Sequence, residues 1–300
     1  SEYVQGSKVT MGDPFYNRVN IPVGLFLLFL TGIGPLLAWR STSLRSLRRN
    51  FILPSIAMAV AFVGLIIAGV RPWSAGDAME ATIFSLITFS LAAGVITAIA
   101  AEFLRGAFVV RTQTHKNLFA STVLLVRRNT RRYLVHFGIV VLFIGIAGGA
   151  FNQSHEQEMG YGDSVTMGPY KLVFQSFTQE SKPNYDTEYA LLDVYRYGKK
   201  ITQLAPEKRF YLASQTSSTM VALHSTLASD LYVIYEGKNP ETDRPIIKVF
   251  LNPLMNWIWI GVAIVVFGTL LALVPSLTKN PRTRASLEPP LAETEVHHVA

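Results

Sequence analysis

One histidine lies inside a long apolar run of the chain, and it has the clearest capacity for chemistry. His136 falls within residues 133–151, one helical turn after Arg131 and Arg132. Because an ionisable side chain is costly in a membrane helix, such a residue is a candidate functional group and is expected to face the protein interior. At 1.5 Å per residue, we expect His136 to lie roughly 5 Å below the cytoplasmic membrane boundary.

The run around His136 has two distinct faces if it is helical. Small residues form one face, at Gly138, Gly145 and Gly149. The opposite face is apolar apart from the imidazole and carries His136, Val140, Phe143 and Ala147. Small residues let another helix approach closely, whereas one nitrogen ligand among apolar contacts is how a protein holds haem iron. The pattern also fits a histidine that hydrogen-bonds a neighbouring helix, and the residues alone leave both interpretations open.

The other histidines show weaker patterns, at His115, His155, His224, His297 and His298. His155 would lie about 29 Å from His136 along a continuous helix, so the two could not share one cofactor. The chain has no cysteine, which excludes disulfides, thiolate metal sites and a cysteine nucleophile within it. It also shows no catalytic triad, phosphate loop or clustered acid pair.

The elements that position His136 are long apolar runs of the chain. Half of the 300 residues (50%) are hydrophobic and only 16% are charged. A run of about 18 or more apolar residues can cross the hydrocarbon core as a helix, which satisfies its own backbone hydrogen bonds. We predict five spans, at residues 19–39, 51–70, 81–101, 133–151 and 254–274.

The basic residues predict the orientation of these spans. The formal net charge is +7, and the arginines and lysines cluster beside apolar runs, so membrane topology explains them better than nucleic-acid binding. The positive-inside rule places residues 40–50, the basic connection 102–132 and the tail 276–300 in the cytoplasm. We expect an interfacial amphipathic helix in that connection and disorder in the polar tail.

The same rule places residues 1–18 outside the cytoplasm. These residues are polar and mixed in charge, and they contain no signal peptide. We therefore expect an earlier membrane segment and a C-terminal portion of a longer protein. The alternative is a short neutral tail that translocates unaided.

Residues 152–252 alternate between apolar and polar side chains and predict a small extracytoplasmic β domain, inserted between the last two helices. We predict strands within six runs, at residues 170–177, 188–197, 209–212, 220–223, 231–235 and 246–251. Turn residues separate them, at Gly168-Pro169, Gly198-Lys199-Lys200 and Gly237-Lys238-Asn239-Pro240. The predicted fold is thus a helical membrane bundle with a β domain, followed by a last helix within 253–275.

Several segments resemble CcmF-type cytochrome c haem lyase subunits, a family that includes NrfE. They are VTMGDPFYNRVN at 9–20, GIGPLLAWR at 32–40, RRYLVHFG at 131–138, APEKRFY at 205–211 and NPLMNWIWIG at 252–261. The matches occur in order along most of residues 9–275, and together they are specific.

The resemblance implies a subunit that attaches haem to apocytochrome c at the periplasmic side of a bacterial inner membrane. His136 matches one of two histidines that hold a b-type haem in the family, and would be an axial ligand of its iron. The second ligand and a tryptophan-rich haem-handling motif belong to the family's N-terminal part and have no counterpart here. This portion alone is therefore not expected to be active. Implied partners are apocytochrome c, a haem chaperone, other maturation subunits, lipid and quinol, with no nucleic acid.

Two other functions fit parts of the pattern. A transporter or permease would explain several spans with an external domain, but it predicts inverted repeats or broken helices with further charges inside the membrane. A cofactor-free assembly scaffold would explain the β domain without any role for His136 in haem binding.

Overall fold

The described residues form five α-helices outside the β domain. The computed structural model describes residues 13–34, 44–114 and 118–273, with side chains described for 18–34, 48–113 and 133–273. The described helices are α1 (Asp13–Ile33), α2 (Leu44–Ile67), α3 (Met79–Thr114), α4 (Leu118–Gly148) and α5 (Met255–Leu273). Short 3-10 turns precede α3 and follow α4.

Four of these helices lie in stretches that are long and apolar enough to cross a membrane. The stretches are Arg48–Ser74, Gly76–Gln113, Tyr133–Phe151 and Met255–Leu273. Helix α1 contributes only the shorter apolar segment Arg18–Ile33. Four of the predicted spans therefore coincide with membrane-length helices. The span predicted at 19–39 stays a prediction, and its residues 35–39 lie outside the described part, as does the tail 276–300.

The basic connection predicted at 102–132 is largely helical. Helix α3 continues to Thr114 and α4 begins at Leu118, so the described residues of the connection belong to these two long helices, and the interfacial amphipathic helix stays a prediction. Once nucleated, a helix gains one hydrogen bond with each added residue, and arginine is a good helix former. The length of an apolar run therefore predicts only the part of a helix that could lie in lipid, whereas α3 and α4 continue beyond their apolar runs.

Helix α3 is the centre of the helical bundle. Its Val95 and Ile99 are buried together with Leu28 of α1 and Val140 of α4. Gly94 of α3 lies against α2, since a Cβ there would meet the methionine side chain at position 58. Helices α1, α2 and α4 thus pack on α3, while α5 packs on α4.

Glycines bring α4 and α5 into close contact. A Cβ at Gly145 of α4 would lie 2.6 Å from the backbone nitrogen of Ile258. A Cβ at Gly261 of α5 would lie 2.5 Å from the backbone nitrogen of Leu142. Because real side chains cannot approach backbone atoms so closely, only glycine permits this separation of the two helices.

The small face predicted for α4 is confirmed at two of its three positions. Gly138 and Gly145 both face α5. The prediction is wrong for Gly149, because a Cβ there would meet nothing within 4 Å. Helix α4 ends at Gly148, and the 3-10 turn Gly149–Phe151 follows it. The third close contact is made by Gly148 instead, since a Cβ there would lie 2.5 Å from the carbonyl oxygen of Pro253.

Ten strands form a β-sandwich between α4 and α5 in the chain. They are β1 (Gln153–Glu158), β2 (Ser164–Met167), β3 (Tyr170–Ser181), β4 (Tyr185–Arg196), β5 (Lys199–Leu204), β6 (Glu207–Tyr211), β7 (Thr216–Met220), β8 (Ala222–Ser225), β9 (Ser229–Lys238) and β10 (Pro245–Pro253). One sheet has the order β1-β10-β9-β8 and the other β2-β3-β4-β6-β7, with β5 paired to the second half of β4. Leu172, Leu192, Val233 and Ile247 are fully buried between the sheets.

The prediction of a β domain is confirmed, and five of the six predicted runs lie in single strands or extend just past one, in β3, β4, β6, β9 and β10. The run 220–223 is instead where β7 ends and β8 begins. The turn predicted at Gly198-Lys199-Lys200 lies one residue earlier, because Tyr197 and Gly198 adopt φ values of 51° and 78°, as in a two-residue hairpin. Likewise, β9 includes Gly237 and Lys238, so the turn predicted there begins later, at Asn239.

Direct hydrogen bonds join the sandwich to α5. Trp257 donates from Nε1 to the carbonyl oxygen of Leu227 at 2.8 Å, and Asn256 donates from Nδ2 to that of Thr226 at 2.8 Å. Both acceptors lie in the turn between β8 and β9. Strand β1 follows α4, β10 precedes α5, and the two strands pair with each other.

Candidate functional site

His136 lies in α4 on the side of the helix that faces away from α5. Gly138 and Gly145 contact α5, and helix geometry places His136 on roughly the opposite face. Val140, one turn further along the same face, is fully buried. The imidazole itself is half-buried. The predicted separation of a small face from a histidine-bearing face is therefore confirmed.

The histidine-bearing face of α4 packs against α3 and α1. Tyr133 meets Phe103 of α3 edge-on, with ring centroids 5.9 Å apart. Phe143 lies against α1, where a Cβ at Gly24 would be 3.0 Å from its Cε1 atom. His136 thus lies in the sequence between two aromatic contacts that hold α4 to its neighbours. These contacts fix the direction of the helix face that carries the imidazole.

A cavity of about 520 Å³ lies between α1, α3 and α4, nearer to the β domain than His136 is. Asn20 of α1, Ser85 and Thr88 of α3, and Phe143 and Ala147 of α4 are among its lining residues. Ser85 donates a hydrogen bond to the carbonyl oxygen of Ala147 at 2.9 Å, which links α3 to α4. His136 is absent from the lining, and it precedes Phe143 by seven residues, or about 10 Å of helix.

One imidazole within the described helices could serve as a haem ligand. His136 is the one histidine within the described helices, and no described group of three or more histidine, aspartate or glutamate residues could hold a metal ion. His155 lies on β1 and contacts the Gln157 side chain at 3.3 Å, and the His224 ring packs edge-on against Tyr170. A half-buried imidazole on an apolar face fits an axial ligand. The predicted His115, His297 and His298 lie outside the described residues.

A polar cluster lies on the outer face of the second sheet, and the sequence patterns above do not predict it. Arg209 donates from Nε and Nη2 to the two carboxylate oxygens of Glu207 at 2.6 and 3.0 Å. Its guanidinium lies 4.9 Å from the ring centroid of Tyr185. The hydrogen bond from Arg209 lowers the pKa of Glu207, and one from Thr187 adds to the effect. Period-two spacing within the segment 205–211 was the available signal, since it places Glu207 and Arg209 on one side of a strand.

A second cavity, of about 440 Å³, opens between the two sheets at one end of the sandwich. Three carboxylates and two ammonium groups are among its lining groups, at Asp186, Glu188, Glu236, Lys208 and Lys238. Tyr235 donates its hydroxyl hydrogen to Glu188 Oε2 at 2.7 Å. Burial raises the pKa of this tyrosine, and the bond to the carboxylate adds to the rise. The cavity is therefore polar although the sandwich core beside it is apolar.

Comparison with known proteins agrees with the architecture. Residues 150–253 match the family model of the CcmF C-terminal beta-sandwich. The predicted resemblance to CcmF is confirmed. A solved structure of "Cytochrome c Heme Lyase CcmF" superposes with a TM-score of 0.64 over 88% of this chain and 41% of that chain, at 22% identity. At this identity the likeness shows a CcmF-like fold.

Relatives of the CcmF type match outside the sandwich as well. The cytochrome c-type biogenesis protein CcmF of Pseudomonas aeruginosa is 29% identical over 90% of this chain and 39% of its own length. The CcmF protein of Escherichia coli K12 is 26% identical over 94% of this chain and 40% of its own length. The chain thus spans about two fifths of the length of these relatives.

Proposed function

We propose that this chain is part of a cytochrome c haem lyase, which attaches haem to apocytochrome c at the periplasmic side of a bacterial inner membrane. Relatives along most of the chain are named for cytochrome c biogenesis, and the structural neighbour is named a haem lyase. The whole reaction would need the remaining length of protein that these relatives have.

The position of His136 is the observation that best supports a haem-related function. It is a single, half-buried imidazole in a membrane-length helix, on the face that is not used for packing against α5. We propose that His136 is one axial ligand of a b-type haem, and that the second ligand comes from the part of the protein that precedes this chain. A haem held there would supply one-electron chemistry, with quinol as the proposed electron source.

The residues around His136 would orient the imidazole. Tyr133 and Phe143 fix α4 against α3 and α1, and the glycines fix it against α5. With its helix held on both sides, the backbone of His136 keeps one position, so the face that carries the imidazole keeps one direction. Val140, one turn further along the same face, is fully buried and makes its surroundings apolar.

The β domain would bind partners outside the cytoplasm. Apocytochrome c, a haem chaperone and other maturation subunits are the proposed partners, while lipid surrounds the helices. A rigid cap over the external helix ends is the alternative role, and the hydrogen bonds from Asn256 and Trp257 to the sandwich suit it equally well.

The visible spectrum of the full-length protein tests the haem ligand. We expect His136→Ala to abolish the b-type haem band or to shift it towards a form with one axial ligand, because a methyl group cannot bind iron. His155→Ala is the matched control, since His155 is exposed on β1 and its replacement should leave the band unchanged. The variant proteins should be compared at equal amounts in membranes, so that loss of folding is detected separately.

An unchanged haem band in His136→Ala would contradict the ligand role. Co-purification of cytochrome maturation partners by this variant would then favour the cofactor-free scaffold. Transport activity in haem-free vesicles would favour the transporter interpretation instead.

A further inference from the structure

Strand β7 is an open edge of the six-stranded sheet. Within the described residues it pairs with β6 alone, and its own residues make no further backbone hydrogen bond with another described segment. Thr216, Ser217 and Thr219 are exposed. An edge strand of this kind presents unpaired N–H and C=O groups that can pair with another extended chain.

The side chains of β7 do nothing to block such pairing. Residues 212–223 contain no charged residue and no proline. Natural edge strands are usually protected by charges, proline, bulges, short length or a covering segment. Strand β7 shows none of the first three devices, and its five residues are enough for several cross-strand bonds.

The other open edges of the sandwich are charged, follow a bulge or are shorter than β7. On β1, Glu156 forms an ion pair with a neighbouring lysine at 3.0 Å, and on β5 Lys200 pairs with an aspartate at 2.6 Å. The free half of β3 carries Glu180 and follows a bulge. Strands β2 and β8 have four residues each, and β8 leads into the turn that Asn256 binds. The contrast singles out β7 among the described edges.

The polar cavity of the sandwich opens beside the same edge. Register places Asp186, Phe210 and Ser217 in one row across β4, β6 and β7, and all three line the cavity. Three carboxylates face two ammonium groups there. Asp186 and Glu188 accept hydrogen bonds and Glu236 lies 4.0 Å from a lysine ammonium, and both ammonium groups have partners as well. Lys208 donates to the carbonyl oxygen of Glu236 at 2.8 Å, and Lys238 pairs with Asp243 at 3.0 Å.

We propose that β7 binds an extended segment of a partner polypeptide, which adds to the sheet as a further strand and directs basic side chains towards the cavity. The backbone of β7 supplies the affinity, as in other cases of strand addition. The excess of one carboxylate over the ammonium groups of the lining, three against two, favours lysine or arginine at the alternate positions that face the cavity. The inference concerns the sandwich alone and does not depend on the haem role of His136.

A synthetic peptide that alternates threonine and lysine is a direct probe, because its lysines lie on one face when it is extended. We expect it to bind the purified full chain in lipid nanodiscs, and to bind more tightly than the same peptide with glutamate in place of lysine. Successive amide hydrogens of a strand point to opposite edges. N-methylation of either all lysine or all threonine residues should therefore abolish binding in one peptide and spare it in the other.

Ser217→Lys tests the edge on the protein side. The new charge blocks the edge and repels the basic peptide, so we expect roughly tenfold weaker binding. Ser154→Lys is the matched control, because it places the same change on the exposed edge strand β1 and should leave binding unchanged. Equal binding by both N-methylated peptides, equal binding by Ser217→Lys, or no binding at millimolar peptide would each overturn the proposal.

Discussion

Acidic side chains of the β domain are held in their ionised form by nearby donors. Hydrogen bonds from Asn239 and then Thr242 lower the pKa of Glu158, and the backbone N–H of Gly160 lowers that of Asp163. In Glu207 the cause is chiefly the hydrogen bond from Arg209. A carboxyl whose pKa is lower in the folded state adds stability above its unfolded pKa and loses it as pH falls through the folded value.

We therefore expect the β domain to lose stability in acid, as pH falls below the ordinary glutamate pKa of 4.5. Glu207→Gln removes one of the titrating groups, so the change in unfolding midpoint between neutral pH and about pH 3 should be smaller in this variant. Chemical denaturation of the full chain, followed by the fluorescence of the sandwich tyrosines, measures it.

Glu241→Gln is the control for this experiment, because the Glu241 carboxylate accepts no hydrogen bond within the described residues. It should keep the acid sensitivity of the unchanged protein. Equal slopes for Glu207→Gln and the unchanged protein would show that the Arg209 contact does not persist in solution.

At the scale of elements, the close contact between α4 and α5 depends on glycine. Even the smallest side chain at Gly261 would place a Cβ 2.5 Å from the backbone of Leu142. Gly261→Ala must push the two helices apart, and overpacking of this kind costs about 1–3 kcal/mol. We expect a lower thermal unfolding temperature in nanodiscs.

Gly64→Ala in α2 is the matched control for this prediction. A Cβ at Gly64 would meet nothing within 4 Å, and alanine is the better helix former. This variant should be as stable as the unchanged protein or slightly more so. If both variants have the same stability, the close packing of α4 on α5 is not a feature of the protein in lipid.

The sequence predicts elements well where one run of side chains determines them. Apolar length predicts the helices, and alternation predicts β3 and β9, because each has one face in the sandwich core. Strand β1 has mostly exposed polar side chains and forms through pairing with β10, which lies far along the chain. A local sequence pattern cannot indicate a pairing partner so far away. The turn after α4 likewise determines where the helix ends, and therefore whether Gly148 or Gly149 makes the close contact.

The site is predictable to a similar extent. His136 is apparent from one ionisable residue in an apolar run, and its face follows from helix geometry. The Glu207–Arg209 contact and the polar cavity require knowledge of which strands are neighbours. Register between β4, β6 and β7 brings Asp186, Phe210 and Ser217 together, and register is a property of the whole sheet.

At the scale of the whole molecule, the proposed orientation places the β domain in the periplasm and the far ends of α3 and α4 in the cytoplasm. The chain has no cysteine, so single cysteines report accessibility without background. Ala213→Cys, in the exposed turn before β7, should react with a membrane-impermeant maleimide on intact bacteria. Gln113→Cys, exposed at the end of α3, should react only after the membrane is permeabilised.

The reverse labelling pattern would contradict the orientation. Labelling of both cysteines on intact cells would show that the membrane is already leaky, so a cysteine in a known cytoplasmic protein must stay unlabelled in the same sample.

The continuity of the α4–α5 pair with β1 and β10 has a mechanical consequence. Two helices in glycine contact lead directly into two paired strands, and side-chain bonds from Asn256 and Trp257 brace the junction. Such an attachment resists bending and twisting, unlike a domain on a loose tether. Any polypeptide bound at the rim of the sandwich would therefore be held at a fixed distance from the ends of the two helices. A tilt of the helix pair in the membrane would move the bound polypeptide with it.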